Sequence, residues 1–380
     1  MRIRSSTLSG YTSLVLAVAL QGVSFCQTVP VRVAIVGLVH GHVSGLLNAL
    51  PKSDCAQLVA IVEQDSALSQ QYAGKFHLSP QLFYTDLEPM LNEKHPDAVL
   101  VYTTIKDHRK VIEMAARHGV SSMVEKPLAT TMEDALAISR IAADHHVNVL
   151  VNYETTWYSS NDEAFTEAQR GTLGTIYKVV VHDGHQGPKE VGVGPEWLPW
   201  LTDPVQAGAG ALFDFGCYGA DLATVLMHGH APFSVTAVAQ TDRPDEYAGV
   251  DDDATIILQY PRTQAVLMPS WDWPFGRKDM EIYGASGYVI TVGANKVHTR
   301  SKGQQVESEM TLPALPQDHQ DSLSYLRAVL RGKVNPHGDL SSLDTNLIVM
   351  QILDAARTSI RTHRTVTLKP LSFERVIRHR

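Results

Sequence analysis

The chain has 380 residues, of which 44% are hydrophobic and 19% are charged, and these fractions exclude collagen, a coiled coil and a disordered chain. Its 32 basic and 40 acidic residues give a net charge of −8. No basic run is interleaved with aromatic residues, so we expect no nucleic-acid partner. The length predicts two domains, and three scattered cysteines are too few for a disulfide framework or a cysteine-based zinc site.

The N-terminal segment combines positive charge with an apolar run. Arg2 and Arg4 precede the run, which extends from about residue 11 to residue 25. This order is typical of a secretory signal peptide, and the run is too short to span a bilayer. We therefore assign residues 1–29 to a signal peptide and expect an exported, periplasmic protein with no membrane span in its mature form. If the segment is not a cleaved signal, the protein belongs in the cytoplasm.

Residues 30–151 alternate between short apolar runs and amphipathic segments. Strands are predicted at 31–36, 58–62, near Phe83, and at 98–102, 122–124 and 147–151. Helices are predicted at 42–50, around residue 75, at 108–118, and from a Thr130–Glu133 capping box to about residue 145. This alternation indicates a parallel sheet covered by helices on both faces, the architecture of a dinucleotide-binding Rossmann domain.

The turn after the first predicted strand has the sequence GLVHGH. A pyrophosphate needs a tight turn, a close backbone approach and a free helix N-terminus. Gly37 and Gly41 can supply the turn, whereas Val39 and His42 stand where the usual G-x-G-x-x-G motif has glycines. We assign Gly37, Val39, His40, Gly41 and His42 to cofactor binding.

Glu63 strengthens this assignment, because it lies at the end of the second predicted strand, 26 residues after Gly37. A carboxylate there can accept hydrogen bonds from the ribose hydroxyls of a dinucleotide. It also repels a 2′-phosphate, so the residue favours NAD over NADP. The alternative interpretation of Glu63 is a solvated loop acid.

A motif of three residues, Glu125-Lys126-Pro127, directly follows another buried strand. Together with the preceding stretch TTIKDH at 103–108, the segment MVEKPLA at 123–129 resembles the signature of the Gfo/Idh/MocA family, the relatives of glucose–fructose oxidoreductase and inositol dehydrogenase. Thr104 and Ile105 depart from the proline and asparagine that are usual in that family. The resemblance implies cofactor contacts from four residues: Thr103, His108, Glu125 and Lys126.

A second stretch, GAGALFDFGCY at 208–218, resembles the second signature of the same family. Asp214 matches the family's aspartate, and Tyr218 stands where many members have histidine and the glucose–fructose oxidoreductase type has tyrosine. The resemblance extends over residues 31–368. It implies an α/β protein with an N-terminal Rossmann domain and a C-terminal α+β domain that carries an open, mostly antiparallel sheet.

The residue types of the candidate catalytic set, Lys126, Asp214 and Tyr218, suit hydride transfer. When a hydride moves from a carbinol carbon to nicotinamide, the hydroxyl proton must also leave. Tyrosine is a poor base at neutral pH, but a nearby ammonium favours the tyrosinate, and Lys126 can supply that charge. Asp214 precedes Tyr218 by four residues, so on one helical turn both would point the same way. Taken singly, each residue could equally be a surface ion pair or a core tyrosine.

Residues 152–380 have a different character, with strands predicted at 176–181, 254–260, 265–268 and 288–292 and few helices. An amphipathic helix predicted at about 342–363 is expected to pack back on the first domain. We expect the open sheet to mediate a homo-oligomer, either a dimer or a tetramer.

All five tryptophans lie in this second half. Indoles stack on sugar C–H faces, although packing in the core is an equally good explanation. We assign a carbohydrate pocket to five residues: Tyr153, Trp157, His182, His185 and Trp271. His182 and His185 could instead ligate a metal with help from His40 or His42, but no strong metal motif is present and we expect no metal.

Three functions remain open at this point. The first is an oxidoreductase that transfers a hydride between NAD and a hydroxyl of a sugar, polyol or glycoside, with the NAD held tightly enough to survive export. The second is a redox-neutral glycosidase that oxidises, eliminates and re-reduces its substrate on bound NAD. The third is a non-catalytic sugar or nucleotide sensor, against which the intact set of Lys126, Asp214 and Tyr218 argues.

Overall fold

The structure is a computed structural model that describes residues 29–371. The predicted signal peptide therefore lies, except for Val29, outside the described residues. Within the described range, no helix combines the length and the hydrophobicity that a membrane span requires.

The first domain is a six-stranded parallel sheet in the order β3-β2-β1-β4-β5-β6. Its elements are β1 (Val31–Val36), α1 (Val43–Ala49), β2 (Ala56–Val62), α2 (Ser66–Lys75), β3 (Phe83–Tyr84), α3 (Leu87–Lys94), β4 (Ala98–Val101), α4 (His108–Arg117), β5 (Ser121–Glu125), α5 (Met132–His145) and β6 (Val149–Asn152). The strand order reverses between β1 and β4, so a crevice opens where the carboxyl ends of these strands meet. The predicted Rossmann architecture is confirmed.

One predicted detail of this domain is wrong. Helix α5 is capped by Thr131, whose side chain accepts a hydrogen bond from the backbone N–H of Asp134 at 3.1 Å. The predicted capping box of Thr130 and Glu133 is therefore displaced by one residue. Thr130 is buried, and its carbonyl accepts a hydrogen bond from Arg357 instead.

The second domain carries a nine-stranded sheet in the order β14-β13-β12-β11-β7-β10-β9-β8-β15. Its elements are α6 (Ser159–Gln169), β7 (Ile176–Gly184), α7 (Leu198–Leu201), α8 (Pro204–Ala207), α9 (Ala211–Asp214), α10 (Gly216–Leu226), β8 (Ser234–Gln240), β9 (Asp253–Gln259), β10 (Gln264–Ser270), β11 (Arg277–Gly284), β12 (Gly287–Val292), β13 (Lys296–Ser301), β14 (Ser308–Thr311), α11 (Ser322–Leu330), α12 (Leu343–Thr362) and β15 (Val366–Thr367). Strands β7 and β10 are parallel and the other neighbours are antiparallel. The expected open, mostly antiparallel sheet is confirmed, but the sequence analysis missed several short helices between β7 and β8.

The two domains share a continuous core. Helix α12 packs against α10 and β8 of the second domain and against α5 of the first. The hydroxyl of Tyr153, just after β6, donates to Asn346 of α12 at 2.8 Å. Helix α11, although late in the chain, contributes Leu326 to the core on one face of the first sheet. These contacts fix the carboxyl ends of β5 and β6 against the second sheet, where the candidate site lies.

Candidate active site

Lys126 and Asp214 form a buried ion pair at the junction of the two domains. The Lys126 ammonium donates to one carboxylate oxygen of Asp214, and also to its backbone carbonyl at 3.0 Å. Burial alone would raise the pKa of Asp214, but the ammonium of Lys126 outweighs it and holds this pKa well below the ordinary range. Burial would likewise lower the pKa of Lys126, yet Asp214 leaves it raised. Both groups therefore stay charged at neutral pH.

Tyr218 lies on the first turns of α10, with its ring centroid 5.2 Å from the Lys126 ammonium. Its side chain is buried, and its ring meets that of Tyr153 edge-on at 5.3 Å. The helix is interrupted between Asp214 and Tyr218, since α9 ends at Asp214 and α10 begins at Gly216. The expected single helical turn is therefore wrong, although Lys126 lies close to both residues.

The expectation that Lys126 favours a tyrosinate is also not supported. Burial raises the pKa of Tyr218 well above its ordinary value of 10, and nearby carboxylates such as Glu154 and Asp214 raise it further. Lys126 offsets these effects only in part, because its ammonium is paired with Asp214. At neutral pH Tyr218 is consequently a phenol, which is a proton donor.

A second ammonium, which sequence reasoning missed, lies beside the same tyrosine ring. The Lys278 nitrogen is 4.8 Å from the Tyr218 ring centroid and forms an ion pair with Glu154. Lys278 belongs to β11, outside both signature stretches, and only the pairing of β11 with β7 brings it here. No local sequence signal could have identified it.

The glycine turn is built as a dinucleotide site requires. Gly37 has φ +85°, and a Cβ atom on it would fall 2.7 Å from the side chain of Thr103. The Glu63 carboxylate accepts a hydrogen bond from the N–H of Leu38 at 2.8 Å, so it is tied to the turn. Gly37, Glu63 and Thr103 line a cleft of about 520 Å³. A ribose and a base fit this cleft, with Glu63 at its border.

On the opposite side of the turn, His42 and Glu125 border a larger cavity of about 940 Å³. His42 Nδ1 lies 3.0 Å from Glu125, whose other oxygen accepts from Asn152 at 3.0 Å. Burial would raise the pKa of Glu125, but the neighbouring His42 imidazole outweighs it and lowers this pKa to about 2. Two cavities thus flank the turn, as the two halves of a dinucleotide would require, and the residues present fit NAD.

A segment of the second domain crosses this turn. The indole of Trp200 donates to the carbonyl of Val39 at 3.2 Å. The Trp197 ring lies 4.5 Å from that of His40, and a Cβ on Gly41 would fall 2.2 Å from Trp197. The sequence analysis weighed these tryptophans only as sugar-stacking or core residues. Their contact with the turn depends on the fold of residues 185–208, which have no periodic pattern.

Of the remaining predicted site residues, some border cavities and others are buried in the core. His108 is fully buried, and its Nδ1 lies 3.2 Å from the carbonyl of Leu128. Trp157 borders the 940 Å³ cavity, and His185 borders a separate cavity of about 490 Å³. Tyr153 and Trp271 are fully buried. Their assignments to cofactor or substrate stay predictions, and for the two buried side chains direct substrate contact requires rearrangement.

The metal alternative considered from sequence is not formed. His182 pairs with Asp279 at 3.0 Å, on the sheet face opposite Lys278. Among the described residues, three sets of side chains are close enough to share an ion, and two of them contain histidine: His40 with His42 and Glu125, and His182 with Asp279 and Glu281. His182 and His185 do not converge with His40 or His42 in either group.

Comparison with known proteins agrees with this geometry. Residues 31–153 match the model of an oxidoreductase family with an NAD-binding Rossmann fold. Residues 166–290 match the model of the GFO/IDH/MocA C-terminal domain. Together the two matches cover well over half of the chain.

Among characterised relatives, human trans-1,2-dihydrobenzene-1,2-diol dehydrogenase is 25% identical over 229 residues. The match covers 60% of this chain and 63% of that enzyme. The corresponding enzyme of Xenopus laevis is 29% identical, with 58% and 62% covered. The chain thus spans somewhat under two thirds of the length of these relatives.

Solved structures show the same fold. An aldose-aldose oxidoreductase from Caulobacter crescentus, complexed with glycerol, superposes with a TM-score of 0.74 at 23% identity, covering 89% of this chain and 100% of that one. An inositol dehydrogenase homologue from Azotobacter vinelandii, complexed with NAD+, gives a TM-score of 0.76 at 19% identity, covering 90% and 98%.

Proposed function

The chain belongs to the GFO/IDH/MocA family of oxidoreductases, whose first domain is an NAD-binding Rossmann fold, and we propose that it transfers a hydride between NAD and a hydroxyl of a sugar, polyol or glycoside. The observation that carries this proposal is the contact of Lys126 with both Asp214 and Tyr218, beside the carboxyl end of β5. That strand end borders the crevice in which a Rossmann domain binds its dinucleotide.

Tyr218 is buried like Tyr153, so the bound substrate must displace the groups that cover its hydroxyl. In the reducing direction, the phenol of Tyr218 then donates its proton to the carbonyl oxygen of the substrate as the hydride arrives at the carbon. The phenolate ring that forms lies 5.2 Å from the Lys126 ammonium and 4.8 Å from the Lys278 ammonium, which offset part of its charge although each is paired with a carboxylate. In the oxidising direction the same groups act in reverse, and the phenolate accepts the hydroxyl proton while the C–H bond breaks. Bound NAD supplies the hydride acceptor.

The substrate class rests on chemistry and on the relatives. Charged donors and acceptors surround Tyr218, and such groups bind a hydroxyl-rich molecule better than an apolar one. The names of similar proteins include an aldose oxidoreductase, an inositol dehydrogenase homologue and dehydrogenases of a dihydrodiol. All of these names refer to compounds with several hydroxyl groups.

The test has two parts. Small molecules released from the purified protein are identified by mass spectrometry, and we expect NAD. The protein is then incubated with NAD and a panel of aldoses, polyols and aryl glycosides, while reduced nicotinamide and released aglycone are recorded separately. Accumulation of reduced nicotinamide supports the proposal. Aglycone release without net NADH formation would instead establish the redox-neutral glycosidase, and binding without either product would establish a sensor.

A further inference from the structure

Asp183, near the end of β7, carries a buried carboxyl group that has no hydrogen-bond partner in the described part of the chain. Asp183 is only 2% exposed, and neither oxygen of its carboxylate has a hydrogen-bond partner among the described residues. Buried polar groups in native proteins are almost always hydrogen-bonded, because leaving one unpaired forfeits its interactions with water. An exception of this kind needs an explanation, and a bound ligand is one.

The position of Asp183 relates it to the candidate active site. It follows Val179 and Val181 on the buried side of β7, and Lys278 of β11 is its direct partner in the strand register. Lys278 in turn lies beside the Tyr218 ring. Lys278 and Lys126 also lie within electrostatic range of Asp183, together with the carboxylates of Asp279 and Glu154.

A cavity lies next to this place, although Asp183 itself does not line it. The residues that follow Asp183, Gly184 and His185, line a cavity of about 490 Å³, and so does Lys278. Lys278 therefore lines the cavity and also lies 4.8 Å from the Tyr218 ring centroid, so a molecule in the cavity meets the lysine that stands between Asp183 in the strand register and the tyrosine. Asp221 provides an informative contrast: its carboxylate is equally buried and unpaired among the described residues, yet its chain neighbours border none of the described cavities and no lysine lies beside it.

We propose that Asp183 and Lys278 form a second hydroxyl-binding subsite, in which Asp183 accepts and Lys278 donates a hydrogen bond to a hydroxyl other than the one that Tyr218 serves. The proposal rests on the proposed function for the nature of the reaction. It adds that the substrate carries at least two hydroxyl groups and that a simple alcohol binds poorly.

The test compares the wild type with Asp183→Asn and Asp221→Asn. Both changes remove a buried unpaired acid without altering side-chain size, so both variants are expected to fold with unchanged NAD affinity. Because burial raises the pKa of Asp183 well above its ordinary value, we expect Asp183→Asn to raise the KM for polyhydroxy substrates by about 5- to 10-fold, the effect of one hydrogen bond between uncharged groups. Simple alcohols should be affected little by this change. Asp221→Asn should leave the KM within about threefold of the wild type, as expected away from the site.

Polyol binding in the presence of NAD is measured in parallel by thermal shift. This measurement distinguishes a failure of the subsite proposal from a failure of the oxidoreductase proposal. A polyol-induced rise in Tm that is lost in Asp183→Asn supports the subsite, even if no substrate is oxidised and the oxidoreductase proposal fails. Oxidation of polyols with the same KM in the wild type and in Asp183→Asn overturns the subsite alone. The subsite is also overturned if both variants lose the polyol-induced rise in Tm equally, or if the wild type shows no such rise.

Discussion

The indole nitrogen of Trp271 donates a 3.0 Å hydrogen bond to Oδ2 of Asp214. The other oxygen of that carboxylate pairs with Lys126, so Asp214 is held from both sides. Trp271 follows β10, is fully buried, and is itself fixed by a 2.7 Å hydrogen bond from its backbone N–H to the carbonyl of Asp252. The second sheet therefore orients the carboxylate that in turn orients the lysine.

Replacing Trp271 by phenylalanine tests this positioning role. The ring is largely kept and the hydrogen bond to Asp214 is lost, which corresponds to about 1.5 to 3 kcal/mol for a charged acceptor. We expect turnover to fall by about tenfold or more with little change in KM, because Asp214 acts through Lys126. The pKa of Asp214 should rise, since the hydrogen bond helps to lower it, so the acid limb of the pH–rate profile should move to higher pH.

The matched control is Trp273→Phe, two residues further along. Trp273 is half-buried and its ring lies 6.2 Å from that of His182 rather than at Asp214. If both variants lose turnover equally and neither shifts the pH profile, Trp271 is a packing residue only.

The second prediction concerns Tyr218. Tyr218→Phe removes the proton donor while keeping the ring between its neighbours, and losing a positioned acid costs about 10²- to 10⁴-fold in turnover. Because burial raises the pKa of Tyr218 well above 10, the wild type should oxidise its substrate faster as pH rises through the alkaline range and reduce it faster at neutral pH. Turnover in both directions is measured against pH, with NAD occupancy checked in each variant. Near-wild-type turnover in Tyr218→Phe would leave Lys126 as the acid.

Sequence predicted the first domain more completely than the candidate site. Strand β4 is a continuous apolar run, and β1 is apolar and buried from Val33 to Val36, a pattern that favours strands buried on both faces. Lys126 and Asp214 could be found because each lies in a signature stretch. Lys278 and Asp183 could not, because they become neighbours only through the pairing of two strands nearly a hundred residues apart, which also brings Lys278 to Tyr218. The protonation of Tyr218 was mispredicted for a related reason, since burial is a property of the fold.

The third prediction concerns cofactor choice. Glu63 borders the 520 Å³ cleft and a carboxylate there repels a 2′-phosphate, so the wild type should bind NAD more tightly than NADP. Glu63→Ser should narrow the difference by at least tenfold, measured as the ratio of the two dissociation constants. Glu88→Ser, at the rim of the same cleft, is the control and should leave the ratio unchanged. Equal affinity of the wild type for both cofactors would contradict the assignment.

The last prediction follows from His108, which is fully buried beneath the EKP turn. Burial lowers its pKa from the ordinary 6.5 to about 4, despite the carbonyl of Leu128 beside its Nδ1. Between these two values the unfolded chain binds a proton at this site and the folded protein does not, so the free energy of unfolding falls as the pH falls. The loss begins near pH 6.5, is complete below about pH 4, and amounts to about 3 kcal/mol at 1.36 kcal/mol per pH unit.

Chemical denaturation at several pH values should therefore show that the free energy of unfolding falls less steeply with acidification in His108→Gln, whose side chain cannot titrate, than in the wild type. His118→Gln, at an exposed histidine on the C-cap of the same helix, should retain the wild-type slope, and an unchanged slope in His108→Gln would show that His108 does not cause the acid sensitivity.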